Sequence, residues 1–158
     1  IYLPSNGIIQ GIRPLIGYNY GAGERKRVEQ IYRLTLELTA GIMAAGTALC
    51  WLIPGGLIGL FTENPETITI GIAALHIISL GFILSAVSVT SSGALEALGQ
   101  GMASLVISVM RYVAVIIPAA FVLSRLIGVT GVWWAFVCTE SVTAVVVYVL
   151  YHRVWKKA

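Results

Sequence analysis

The stretch from residue 132 to residue 151, VWWAFVCTESVTAVVVYVLY, carries a single charged side chain, Glu140, among its twenty residues. An α-helix rises 1.5 Å per residue, so about 20 apolar residues are needed to cross a hydrocarbon core of about 30 Å. A surface helix of a water-soluble protein is apolar along one stripe, whereas this stretch is apolar on most of its circumference. It therefore predicts a membrane-spanning helix.

Four further stretches have the same character. They occupy residues 1–18, 32–53, 68–92 and 103–124, of which the first is short. The run VAVIIPAAFV at residues 113–122 is continuously apolar, whereas strands of transmembrane barrels alternate apolar and polar residues over about ten positions. We therefore expect an all-α polytopic membrane helix bundle that occupies residues 1–158, with five spans and no soluble domain.

The composition of the chain supports this expectation. Of 158 residues, 58% are hydrophobic and 11% are charged, against roughly 45–50% and about 25% in an average soluble domain. The basic residues lie in two short clusters outside the apolar runs and are not interleaved with aromatic residues, which argues against nucleic acid as a partner. Cys50 and Cys138 lie within apolar stretches, without a second Cys or His at ligand spacing. Neither a disulfide framework nor a metal site is expected.

The basic residues predict an orientation. Helices alternate in direction, so the first and third connectors lie on the same side of the membrane as the C-terminus. That side carries six basic residues and the other side carries one, Arg125. The six are Arg25, Lys26, Arg27, Arg153, Lys156 and Lys157. Because cytoplasmic loops are enriched in Lys and Arg, we expect a cell-membrane protein with a cytoplasmic C-terminus and an external first residue.

Charged and titratable side chains inside a span are functional candidates, because burying them in the bilayer is costly. Glu140 lies about 12 Å below the outer end of the last span at 1.5 Å per residue, and Arg111 is similarly deep in the preceding span. A short turn joins these two spans, so the two side chains are expected to pair. His76, in the third span, is the other deep titratable group. For each residue a packing role and a role in a transport pathway both remain open.

The first span adds polar groups on one helix. Asn6 and Gln10 are spaced i and i+4, and Arg13 lies near the inner end. We expect Asn6 and Gln10 to line a largely apolar cavity, and Arg13 either to join that lining or to extend its charged end to the membrane surface. The glycine-rich segment that follows does not match a nucleotide-binding motif. Ala22 stands where a phosphate-binding loop needs glycine, and Lys26 stands where the dinucleotide fingerprint needs its third glycine.

Motifs along the chain closely resemble those of the multidrug and toxic compound extrusion (MATE) family. The most specific is QGIRPLIGYNYGAG at residues 10–23, followed by Arg27 and Val28. Others are LFTENPE at 60–66, GALEALG at 93–99 and GVTGVW at 128–133. Together they are similar to helices eight to twelve of a twelve-helix transporter, which implies a truncated chain lacking the N-terminal part of the same transporter.

The resemblance implies secondary active export. Members of this family use a sodium or proton gradient to expel amphiphilic, often cationic compounds by alternating access, with no further cofactor. In part of the family a carboxylate of the tenth helix helps bind the coupling cation, and here Ser85 stands at about that position. Because of this departure, the resemblance does not identify the coupling cation. The residue that binds this cation is compatible with a position in the N-terminal lobe.

Three other functions compete with export. A flippase of lipid-linked oligosaccharides from the same superfamily needs a wider, more cationic groove. Apart from Arg33 at the cytoplasmic end of the second span, only Arg13 and Arg111 lie within spans. A structural membrane subunit that does not transport also remains open. An intramembrane enzyme needs paired aspartates or a Ser/His dyad and is disfavoured, because the chain contains no Asp. His76 and Ser79 are three residues apart on one helix, which is a chance spacing in a serine-rich span.

Overall fold

Helices make up the regular structure of residues 2–157, the part of the chain that the computed structural model describes, which confirms the all-α fold class. Ile1, the predicted start of the first span and the predicted external residue, lies outside this part. The helices are α1 (Tyr2–Gly21), α2 (Arg25–Leu52), α3 (Pro54–Gly59), α4 (Pro65–Ala97), α5 (Gly101–Val109), a π-helical segment (Met110–Val115), α6 (Ile116–Ile127) and α7 (Val129–Lys157).

Four helical stretches within residues 2–157 are long and apolar enough to cross a membrane. They are Arg25–Leu52, Pro65–Ala97, Gly101–Ile127 and Val129–Lys156. Helix α1 has 20 residues but is not among the four, because Asn6, Gln10 and Arg13 interrupt its apolar sequence. That α1 spans the membrane with the others stays a prediction.

The helices extend further than the apolar runs predict. Helix α1 passes through Pro14, although proline disfavours a helix interior, and the chain turns instead at Gly23, whose φ is +76°. Such a backbone conformation favours glycine. Helix α4 begins at Pro65, where the side chain of Asn64 accepts hydrogen bonds from the backbone N–H groups of Glu66 and Thr67. Helix ends outside the hydrocarbon core are polar, so hydropathy alone does not detect them.

Helix α4 is the central element and packs against α1, α2, α5 and α7. Small side chains let its neighbours approach closely, as in other membrane helices. Hydroxyl groups join it to α2: Tyr32 pairs with Ser91 and Thr39 with Thr90, both at 2.9 Å. These contacts fix the face that α4 turns toward α1 and α7.

The π-helical segment interrupts the helix that runs from Gly101 to Ile127. The backbone N–H of Ile116 bonds to the carbonyl of Arg111, five residues earlier. Pro118 lies two residues further on and supplies no backbone donor, which also favours a bend in this helix. A π-helical turn adds a residue to the local spacing and is common at functional sites. Arg111 belongs to this segment.

Candidate functional site

Two adjoining cavities lie between α1, α4, the π-helical segment and α7. One, of about 310 Å³, has mostly apolar walls that include Ile78, Phe82, Ile116 and Phe136. The other, of about 210 Å³, is mostly polar. Tyr2, Arg111 and Tyr112 line both. We call the two cavities the apolar compartment and the polar compartment, and together the groove.

Arg111 and Glu140 form an ion pair at the junction of the compartments, as the sequence predicts. Their side chains are only 16% and 10% exposed. Arg111 Nη2 donates to Glu140 Oε1, and Ser88 Oγ donates to Glu140 Oε2 over 3.1 Å. Gly81 of α4 lies against this side chain, and a Cβ added there would lie 3.4 Å from Glu140 Cγ, an ordinary contact distance.

A second ion pair, which the sequence alone did not indicate, lies in the polar compartment. Arg13 Nη2 is 2.5 Å from Glu96 Oε2, and Ser104 Oγ donates to Glu96 Oε1 over 2.6 Å. Arg13 Nη1 also donates to Gln10 Oε1 over 3.2 Å. The pair therefore joins α1 to the last turn of α4 and, through Ser104, to α5.

The remaining polar candidates divide between the groove and a separate position. Asn6 lines the polar compartment. Ser85 is buried beside the groove, and its Oγ lies 2.7 Å from the hydroxyl of Tyr2. His76 does not line either compartment: its ring stacks on Trp51 of α2 with ring centroids 4.8 Å apart. The structure thus brings Asn6, Gln10, Arg13, Ser85, Arg111 and Glu140 together and leaves His76 apart.

Among residues 2–157, no group of three or more His, Cys, Asp and Glu side chains is arranged to hold a metal ion. Glu96 and Glu140 are each paired with an arginine instead. The side chains that line the groove offer hydrogen bonding, charge pairing and apolar contact.

Residues 1–122 match the MatE family, which decides the identity of the fold. The chain belongs to the MatE family. Among similar proteins, the multidrug export protein MepA of Staphylococcus saprophyticus is 27% identical over 151 residues, which are 93% of this chain and 33% of that protein. MepA of Staphylococcus haemolyticus is 28% identical over the same share. The MatE chain thus spans about a third of the length of these relatives.

Solved structures of MATE transporters have the same fold. The MATE multidrug transporter DinF-BH, solved as a ligand complex, superposes with a TM-score of 0.86 at 31% identity, over 95% of this chain and 34% of that one. An inward-facing MATE transporter of the MOP superfamily gives 0.92 at 21% identity, over 98% and 36%. The second likeness concerns the fold alone. The MatE chain is therefore part of a larger helical bundle.

Several groove residues of this MatE chain were not predicted from the sequence. Glu96 stands out there only as part of the motif GALEALG, and nothing in the sequence marks Tyr2 or Ser88. Glu96 lies in the last turn of α4, where a carboxylate is ordinarily solvated. Its position along the helix therefore did not predict an ion-pair partner. The available signal was charge balance: Arg13 lies within a span and needs a counter-charge at similar depth.

Proposed function

We propose that this chain is the C-terminal part of a secondary active multidrug exporter, corresponding to helices eight to twelve. The exporter expels amphiphilic compounds in exchange for sodium ions or protons by alternating access. Family membership supports a transporter, and the similarity to MepA proteins, which are multidrug export proteins, supports multidrug efflux. The remaining helices of the transporter are its required partner, since alternating access needs a second repeat that moves against this one.

The observation that carries this proposal is the groove itself. Between α1, α4, the π-helical segment and α7 lie two adjoining compartments, one apolar and one polar, which share Arg111 of the buried ion pair as a lining residue. A cavity with mostly apolar walls and a few polar groups is the usual form of a site for amphiphilic small molecules.

The proposal includes an orientation in the cell membrane. The first turn of α2, next to the α1–α2 loop, carries Arg25, Lys26 and Arg27, and the end of α7 carries Arg153 and Lys156. The external side carries Arg125 at the end of α6. By the positive-inside rule, the α1–α2 loop and the C-terminus are cytoplasmic and α3 is near the external surface. The lipid bilayer is then the medium that surrounds the apolar faces.

The experiment that tests the function uses the full-length protein that contains this chain, reconstituted in phosphatidylcholine vesicles. Sodium and proton gradients are imposed separately, and movement of two fluorescent amphiphiles, rhodamine 6G and dansylaminoundecanoate, is followed. We expect movement of at least one compound that depends on one of the two gradients. If neither gradient moves either compound, while the protein is folded and inserted, the exporter proposal is wrong.

A further inference from the structure

We propose that the chain binds an anionic phospholipid in a crevice between α2 and α7, at the end of the bundle that carries the basic residues. The phosphate of the lipid lies beside Arg33, and one acyl chain follows the outer face of α7. This inference goes beyond the proposed function and does not depend on it. Only the assignment of the lipid to the inner leaflet rests on the proposed orientation.

The first part of the crevice is a pocket of about 270 Å³ between the first turns of α2 and the last turns of α7. We call it the aromatic pocket. Tyr32 and Tyr151 are buried at its floor, where their rings stack with centroids 4.2 Å apart. Tyr148 and Trp155 of α7 also line it. Because Tyr and Trp side chains are enriched at the membrane–water interface, the aromatic pocket lies at the level of the lipid headgroups.

A second pocket, of about 230 Å³, adjoins the aromatic pocket at Tyr148, which lines both. We call it the lateral pocket. Its other walls are apolar and consist of Val87 of α4 with Ala144, Val145 and Val149 of α7. Val145 is 65% exposed, so the lateral pocket opens toward the side of the bundle, where the bilayer lies.

The crevice has the length of one leaflet of the bilayer. It follows α7 from Trp155 to Ala144, a distance of about 16 Å at 1.5 Å per residue. Half of a hydrocarbon core of about 30 Å is about 15 Å. An acyl chain that starts at the aromatic pocket and follows α7 therefore ends near the middle of the bilayer.

The charge around the aromatic pocket is positive. Residues 25–35 contain four Lys and Arg and one Glu, and residues 148–157 contain three Lys and Arg and no acidic residue. Arg33 lines the aromatic pocket and pairs with Glu29 over 2.6 Å, but both side chains are exposed, so solvent weakens the pair. Basic pockets between membrane helices on the cytoplasmic side favour anionic headgroups. A choline headgroup would bring a further positive charge to this site.

The crevice is separate from the groove. Within residues 2–157, none of the residues that line the groove lines the aromatic or the lateral pocket. Helix α4 borders both regions through different residues, and α2 and α7 both pack against it. A lipid in the crevice therefore joins two neighbours of α4 without occupying the space proposed for substrate.

Native mass spectrometry of the full-length protein tests this proposal. The protein in detergent is titrated with dioleoyl phosphatidylglycerol or with dioleoyl phosphatidylcholine, which have the same acyl chains and differ in net charge. We expect the first phosphatidylglycerol to bind at least about tenfold more tightly, a ratio that corresponds to about 1.4 kcal/mol. Equal binding, or tighter binding of phosphatidylcholine, overturns the proposal.

Two arginine variants assign the headgroup to the aromatic pocket. Arg33→Gln removes a basic side chain that lines this pocket, whereas Arg153→Gln removes an exposed one from the same end of the bundle that does not line it. One basic residue contributes about 1 kcal/mol to binding an anionic lipid, which is about fivefold in affinity. We expect that loss in Arg33→Gln and a nearly unchanged affinity in Arg153→Gln. An equal loss in both, which indicates general surface charge, or no loss in Arg33→Gln contradicts the proposal.

Two valine variants test the acyl chain. Val145→Phe places a ring in the lateral pocket, and Val142→Phe is its control, because Val142 is exposed on the same helix but does not line that pocket. Both side chains are exposed, so neither substitution disturbs the core. We expect only Val145→Phe to weaken the binding of phosphatidylglycerol. Equal affinities in the two variants would show that no acyl chain occupies the lateral pocket and would refute the proposal.

A soluble headgroup distinguishes a lipid from a free phosphate compound. We expect an excess of glycerol 3-phosphate to leave phosphatidylglycerol bound, because it lacks the acyl chain that the lateral pocket holds. Displacement of the lipid by glycerol 3-phosphate would identify a free phosphate compound as the ligand and overturn the lipid site. These binding measurements use no ion gradient, so failure of the exporter proposal leaves their outcome unaffected.

Discussion

Arg111 and Glu140, 29 residues apart, are joined as an ion pair between the π-helical segment and α7, and the pair stands where the two compartments of the groove meet. Ser88 of α4 holds the second oxygen of the same carboxylate. Three elements thus converge on one buried charge. A change in any of them alters both the packing of the bundle and the lining of the groove.

The two charges are expected to depend on each other for stability. In the full-length protein, Glu140→Gln and Arg111→Met should each lower abundance, because breaking a buried pair leaves an uncompensated ion and costs about 3–5 kcal/mol. The combined substitution should restore abundance, since replacing both partners is often nearly neutral. Quantitative immunoblotting of membranes measures this. If the effects of the single substitutions simply add, the pair does not contribute as a unit.

The turn between α6 and α7 is expected to require glycine at position 131. A Cβ at Gly131 would overlap the backbone carbonyl of Leu123, and backbone cannot move aside as a side chain can. Gly131→Ala should therefore destabilise the protein by about 1–3 kcal/mol, the usual cost of overpacking. Gly41→Ala is the matched control, because a Cβ at Gly41 meets nothing within 4 Å. Thermal unfolding of the two purified variants compares them, and equal unfolding temperatures would refute this packing of the turn.

The proposed orientation predicts which positions an impermeant thiol reagent reaches in intact cells. Cys50 and Cys138 are first replaced by alanine, and single cysteines are placed at Lys26 and Glu63. Glu63 follows α3 on the proposed external side, whereas Lys26 lies at the start of α2. We expect labelling at position 63, and labelling at position 26 only after permeabilisation. Labelling at position 26 but not at position 63 in intact cells would show that the topology is the reverse of the proposed one.

The chain expressed alone is expected to enter the membrane without transporting. Its four long apolar helices are sufficient for insertion, but it spans about a third of the length of its MepA relatives. Efflux of a fluorescent amphiphile from cells that lack other drug pumps measures transport, with the full-length protein as the positive control. Gradient-driven efflux by the chain alone would show that no further segment is needed.

Much of the fold follows from the sequence because hydrophobicity dominates in a membrane. A stretch such as residues 132–151 has few alternatives to a long helix. The same reasoning located Arg111 and Glu140 at similar depth, and the structure confirms their contact. The limits of the helices were less predictable. The first residues of α2 are charged and carry no apolar signal, yet they belong to the helix.

The rest of the site depends on which helix faces which. Depth can be counted along one helix, but lateral neighbours depend on packing that sequence spacing does not encode. His76 and Arg111 both have the depth of groove residues, and His76 instead stacks on Trp51 of α2. Glu96 has the position of a solvated residue, and α1 instead brings Arg13 to it. The π-helical segment that presents Arg111 had only Pro118 as its signal.

Export by the combined variant Arg111→Met with Glu140→Gln tests most directly whether the groove is the transport pathway. The measurement is the gradient-driven rate for rhodamine 6G and for dansylaminoundecanoate, at matched protein abundance in phosphatidylcholine vesicles. If the groove carries substrate, abundance is restored while the rate for at least one compound falls by about tenfold or more, which corresponds to about 1.4 kcal/mol in the barrier. Rates equal to those of the unsubstituted protein for both compounds would contradict the assignment of the groove as the pathway.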